Sequence, residues 1–204
     1  RIASPGEEHR TGVCDIPSFY IRYTGLDHPP SLNREWLRLS EHALSTCTNG
    51  EVFADPLGAF TAWRATLLGY YPEDVRLKKI ASRCFTMAQT GQYNFERSLK
   101  RGERFAASYS EMQFCRDAMS LAFLLNRRYA PFYKWMHRAL RVLPLLGAAL
   151  ADLIDDLMDE TSREGKAAGI EAIARLLIGE LRREGLSDAP GDFLLDHAHS
   201  VHER

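Results

Sequence analysis

Residues 103–128 read ERFAASYSEMQFCRDAMSLAFLLNRR. Phe105, Tyr109, Met112, Cys115, Met119 and Ala122 recur in it at steps of three and four, the period of one face of an α-helix. The run lacks proline and glycine, so nothing interrupts the helix. A helix of this length needs partners for its apolar face, and the flanking sequence supplies them.

C-terminal to it, a second helix begins at Pro131. Phe132, Trp135, Met136, Ala139, Leu140 and Leu143 share its apolar face, which assigns Trp135 to the core. Shorter helices are expected over about 145–160 and 165–185, the latter with the stripe Ile170, Ile173, Ala174, Leu177 and Leu181. A last helix starts after Pro190 and is expected to run on through Arg204.

N-terminal to it, Ser31 or Asn33 can cap a helix reaching Thr48, which Asn49 and Gly50 end. Asp55 caps the next helix, with Pro56 at its first position. Pro72, Glu73 and Asp74 open a long helix toward Gly102, with Gly91 as a weak point inside it. Residues 1–30 read differently. Strand-like runs at 12–16 and 19–23 precede a proline turn at 27–30. The expectation is a mostly α protein, a bundle of about six to eight helices over 31–204. One or two N-terminal strands over 1–30 would be the tail of a preceding α/β domain, and the chain would be cut at both ends.

Composition excludes several classes. The net charge of −1 gives no general attraction to nucleic acid or membrane. No apolar stretch approaches the ~20 residues of a membrane span. The four cysteines, Cys14, Cys47, Cys84 and Cys115, are too scattered for a zinc site and read as free thiols of a cytoplasmic protein. Residues 118–151 contain no acid but carry Arg127, Arg128, Lys134, His137, Arg138 and Arg141. Asp152, Asp155, Asp156, Asp159 and Glu160 follow directly. Either the two faces compensate each other, or Arg127, Arg128 and Lys134 at the helix–proline–helix corner around Pro131 form an anion pocket. The DDLMD run at 155–159 has the spacing of a magnesium-diphosphate motif but reads as an acidic helix end. His197, His199 and His202 read as a solvated tail.

Four segments in order carry a resemblance: NGEVFAD at 49–55, YYPEDV at 70–75, GQYNFER at 91–97 and LNRRYAPFYKW at 125–135. Together they resemble an uncharacterised helical domain family that accompanies polymerase-β-like nucleotidyltransferase domains. The last segment also resembles, more loosely, the C-terminal bundle of antibiotic nucleotidyltransferases. The resemblance implies that an upstream domain supplies a Gly-Ser turn and an Asp-x-Asp pair that bind Mg²⁺ and an NTP, ATP first. The helical part then closes the site and selects an unknown acceptor. Neither catalytic element is present in these 204 residues. The chain alone is therefore expected to be inactive.

On the same footing, Asp15 would be a third carboxylate on a strand. Lys134 and Tyr129 would contact the nucleotide, Lys134 neutralising a phosphate, with Arg127 and Arg97 assisting. Gln92 and Asn94 would orient the base or the acceptor. The expected partner is a small-molecule nucleotide, with nucleic acid possible but not favoured. The alternative is a helical module that binds a nucleotide, nucleic acid or protein without catalysis.

Overall fold

The computed structural model describes residues 13–204. Among these the chain is helical and contains no strand. It divides into two compact units, Arg1–Gly69 and Tyr70–Arg204. The change in composition, by contrast, falls near residue 30.

In the N-terminal unit, α1 (Ile16–Thr24) replaces the expected strands. Position 12 lies outside the described residues, and Val13, Cys14 and Asp15 form no strand. The helix has a local cause. Asp15 accepts a hydrogen bond from the Ser18 N–H at 2.9 Å, Pro17 sits in the first turn, and Gly25 closes the far end at φ 71°. The aromatics at 19, 20 and 23 then share a helical face, which the strand reading had mistaken for alternation.

The expected helix over 31–48 is two, α2 (Asn33–Arg38) and α3 (Glu41–Thr48), because Leu39 and Ser40 adopt extended backbone. The next helix, α4 (Ala59–Leu68), starts later than Pro56. Asp55 still holds its entry by accepting from the Thr61 N–H at 2.7 Å. Tyr20 anchors the unit. It is fully buried, stacks on Trp63 at 4.0 Å and donates to the Phe60 carbonyl at 3.1 Å. Arg64 on α4 caps the end of α3 by donating to the carbonyls of Thr48, Asn49 and Gly50.

In the C-terminal unit, α5 (Glu73–Met87) continues through a π-helical segment, Ala88–Phe95, into α6 (Glu96–Lys100). After a tight turn, α7 (Arg104–Leu125) runs back along it. The pairing reads as a ladder: Arg76 to Leu124, Arg83 to Ser120, Thr86 to Asp117, Gly91 to Phe114. Then come α8 (Tyr133–Leu140), α9 (Gly147–Asp159), α10 (Arg163–Arg183) and α11 (Leu194–His202). Helix α10 packs on α9 and α7, and α11 packs on α5. Among the described residues the helices outnumber the six to eight expected because α1 stands where strands were expected, the turn at 39–40 divides one run, and the π-helical segment sets α6 apart from α5.

The core of this unit follows Ala107, Phe114, Ala118, Leu121 and Leu125 on α7, with Ile170, Ile173, Ala174, Leu177 and Leu181 opposite on α10. Each large apolar side chain buried here stabilises the fold by about 1.5–3 kcal/mol. The α10 stripe is the one read from sequence. The α7 stripe is rotated: Cys115 and Ala122 are buried, but Phe105, Tyr109 and Met112 face outward. On α8 the buried residues are Met136 and Leu140. Trp135 stays outside the core because it lies one residue, about 100°, off that line.

Polar side chains bind the C-terminal segment. His197 is fully buried between Ser187 Oγ at 2.8 Å and the Gly191 carbonyl at 3.1 Å, so it is not a solvated tail residue; His199 and His202 remain exposed. The last helix stops at His202. Cys47, Cys84 and Cys115 are buried free thiols and Cys14 is an exposed one.

Candidate functional site

The site is built at the corner where α7 ends and α8 begins. Asn126 ends α7 and ties down the downstream loop, donating to the Leu145 carbonyl and accepting from the Leu145 N–H, both at 2.9 Å. Arg127 follows in left-handed backbone, φ 50°. Its N–H bonds to the Leu124 carbonyl at 3.2 Å, and the Arg128 N–H to that of Phe123 at 2.9 Å. This is a glycine-type helix stop made by an arginine. Facing it, Tyr70 is also left-handed, φ 71°, and donates to the Arg128 carbonyl at 3.3 Å. Non-glycine residues held there cost about 1–2 kcal/mol each and concentrate at functional sites.

Tyr129 packs its ring against Tyr70 at 4.9 Å and Tyr71 at 5.1 Å. Burial pushes its phenol pKa far up, so at neutral pH it acts as a neutral hydrogen-bonding group. Lys79 lies 5.0 Å from the centroid of the Tyr71 ring. Beneath the aromatics runs an ionic chain. Arg127 pairs with Glu73 at 2.9 Å, Glu73 holds the buried Arg76 at 2.7 Å, and Arg76 reaches Glu184 at 3.7 Å. The Arg76 guanidinium holds the Glu73 carboxyl below the usual carboxylate range, while burial pushes Glu184 above it.

Outside this layer, Phe132, Tyr133, Lys134 and Trp135 are all exposed at the start of α8, with the Phe132 and Tyr133 rings 4.5 Å apart. Among the described residues no carboxylate pairs with Lys134. Arg141, further along, is occupied by Asp152 at 2.8 Å and by Asp155, which also meets His137 at 3.2 Å. That part of the basic run is compensated by the acidic helix end.

The structure thus gathers Arg127, Tyr129 and Lys134 at one corner. Gln92, Asn94 and Arg97 lie elsewhere. The π-helical segment is level with Phe114, about 15–20 Å along α7 from the corner. There Gln92 donates to Glu171 at 2.9 Å and the Asp192 carbonyl at 2.7 Å, and accepts from the Leu194 N–H at 2.9 Å. It is a cross-link to α10 and α11. Arg97 lies over the Tyr93 ring at 5.2 Å and donates to its hydroxyl. Beside them an open cleft of about 380 Å³ is lined by Gln92, Phe95, Glu96, Ala167, Ala168 and Glu171.

Asp15 belongs to the N-terminal unit. It is a helix cap rather than a strand carboxylate, and the Ser18 backbone holds its carboxyl below the usual range.

The Mg²⁺ implied by the resemblance finds no fitting donor set: among the described residues no three His, Cys, Asp or Glu side chains converge to hold a metal ion. Nor is any helix of the described residues long and apolar enough to cross a membrane. Sequence reasoning missed the partners Tyr70, Glu73 and Arg76, although YYPEDV at 70–75 was already marked as a distinctive segment.

No curated protein and no solved structure matches the chain. A family match was found for part of it: residues 36–136, which include every candidate residue except Asp15, match the model of a domain of unknown function, DUF4037.

Proposed function

We propose that this chain is the helical, nucleotide-binding part of a nucleotidyltransferase, and that its α7–α8 corner contacts the nucleotide. The observation that supports this most is the joining, at one corner, of mutually packed tyrosines, two left-handed non-glycine residues and an uncompensated lysine. Aromatic rings suit a base, and a flexible ammonium suits a phosphate. Lys134 is the phosphate cation. Arg127 is half neutralised by Glu73 and adds a second donor when a phosphate competes for it. Tyr129 shapes the site as a neutral phenol. The elements that would bind Mg²⁺ are not in this sequence, so the chain's own part is binding and orientation.

A second reading is a helical module that binds a nucleotide, nucleic acid or protein without catalysis. Calorimetric titration with ATP, with and without magnesium, tests both. On the first reading ATP binds, and Lys134→Ala weakens it by about tenfold through loss of one charge-assisted contact, with melting unchanged. Equal affinity in the variant would remove Lys134 from the site. No binding of any nucleoside triphosphate would sink the nucleotide reading. Turnover by a longer native chain carrying this region separates enzyme from module.

A further inference from the structure

Glu73 is shared unequally between two arginines. Arg76 holds both of its oxygens, with Nε 3.1 Å from Oε1 and 3.2 Å from Oε2, and Nη2 2.7 Å from Oε1. Arg76 is itself fixed. Its side chain is 4% exposed, reaches Glu184 at 3.7 Å and donates to the Leu124 carbonyl at 3.5 Å. Glu73 is also the first residue of α5, so its backbone belongs to a helix. The carboxylate therefore stays where it is when a partner leaves.

Arg127 is the partner able to leave. It meets Glu73 Oε2 at 2.9 Å with 54% of its side chain exposed. Its backbone is set in the left-handed turn, so the side chain moves alone. Among the described residues no other carboxylate pairs with Arg127, and none pairs with its exposed neighbour Arg128. An exposed ion pair is weak, whereas a phosphate brings more charge and more acceptor oxygens to a guanidinium.

We propose that Glu73 is an internal competitor for Arg127, one that sets the corner to take a polyphosphate in preference to a single phosphate. A polyphosphate anchored on Lys134 presents its next phosphate to Arg127 at high effective concentration and displaces the carboxylate. A lone phosphate has no such advantage. Arg76 retains Glu73 throughout, so the exchange moves one side chain and leaves the ionic chain beneath it intact. For its ligand the proposal rests on the nucleotide reading of the corner.

The test is calorimetric titration of the full chain, without magnesium, with tripolyphosphate, inorganic phosphate and ATP. Tripolyphosphate binds about tenfold or more tightly than phosphate. Glu73→Gln strengthens tripolyphosphate and ATP binding about two- to fivefold, the worth of an exposed ion pair. In an Arg127→Gln background the same substitution changes nothing. Asp74→Asn, which removes an equal charge one residue along, leaves affinity as it was. Nuclear magnetic resonance of the wild type needs no variant: the Arg127 Nε–H signal shifts with tripolyphosphate and that of Arg76 does not. No gain from Glu73→Gln, an equal gain from Asp74→Asn, or a gain that survives without Arg127 overturns the competitor while ATP binding keeps the nucleotide reading. ATP binding no tighter than tripolyphosphate, with the Arg127-dependent gain present, upholds the competitor and removes the base from the site. No binding of any of the three sinks both.

Discussion

Gly91 and Phe114 approach so closely that a Cβ on Gly91 would lie 2.3 Å from Cδ2 of the ring. The obstacle is an aromatic ring that is itself fully buried. A methyl at 91 must therefore push α7 away or rotate Phe114 out of its pocket. Gly91 sits within the π-helical segment, so the weak point read from sequence is a place where the facing helix leaves no room for a side chain. Gly91→Ala should gain about 1 kcal/mol of helix propensity and lose more through overpacking. We expect a net loss of about 1–2 kcal/mol in urea unfolding, largely restored by adding Phe114→Leu. A variant more stable than the wild type would mean that the π turn absorbs the methyl.

Asp117 is a fully buried carboxylate with several donors. Thr86 Oγ1 lies at 2.7 Å, Gln113 Nε2 at 2.9 Å, an Arg116 nitrogen at 3.0 Å and Arg83 at 3.9 Å. Removing the acceptor strands these groups between α5 and α7. Asp117→Ala should cost about 3–5 kcal/mol, the range for breaking a buried ionic group. Asp117→Asn, which keeps the shape and one acceptor oxygen, should cost less. Equal losses would mean that the negative charge, not the hydrogen bonding, holds the two helices.

The chain Arg127–Glu73–Arg76–Glu184 makes a pH prediction with two signs. The native fold depresses Glu73, chiefly through the Arg76 hydrogen bond, from an ordinary value of 4.5. Its stabilisation is therefore complete above that value and is lost as pH falls through the lower folded value. Since Glu73 is half exposed, Glu73→Gln should lower stability at pH 7 by only about 1 kcal/mol. The difference from wild type should vanish once the pH has fallen below the depressed folded value. Glu184 behaves oppositely. Burial raises it, so its contribution is present at low pH and declines as pH rises above 4.5 through the raised value. Glu184→Gln should then be less costly than Glu73→Gln at neutral pH. The reverse order in urea titrations would show that Glu184 is the main partner of Arg76.

Gln92 holds the start of α11 through the Leu194 N–H and the Asp192 carbonyl. Gln92→Ala should loosen this end without unfolding the core. The Leu194 amide should lose hydrogen-exchange protection by about tenfold while amides in α7 keep theirs, as for a local opening. If Leu194 protection is unchanged, the packing of α11 on α5 suffices and Gln92 is free for another role.

Much of the helical order was legible because it is local. The α10 stripe, the Asn49–Gly50 stop and the start after Pro72 each follow from a few neighbouring residues. Two local signals were misread. Asp15 and Pro17 are a helix entry, yet five bulky residues after them suggested a strand. Tyr109 and Met112 share a helical face, but not the one that is buried. Periodicity finds a face without saying which way it points when apolar residues occur on both sides. Of the candidate site, Arg127 and Lys134 were grouped by the basic run that holds them, and Tyr129 by resemblance. Gln92 and Arg97 were grouped with them only by resemblance, and the antiparallel run of α5 and α7 sets them apart.

The sequence by itself determined a helical protein, the caps and turns that bound most helices, and the acid-free stretch at 118–151, because these depend on backbone preferences and charge within a turn or two. Tertiary structure alone decided that Tyr70 meets Arg128, that Glu73 joins Arg76 to Arg127, that His197 is buried and that Phe105 faces outward. Those contacts join residues distant along the chain or depend on which face the core takes. They form only when packing of the whole unit repays the entropy of bringing such residues together.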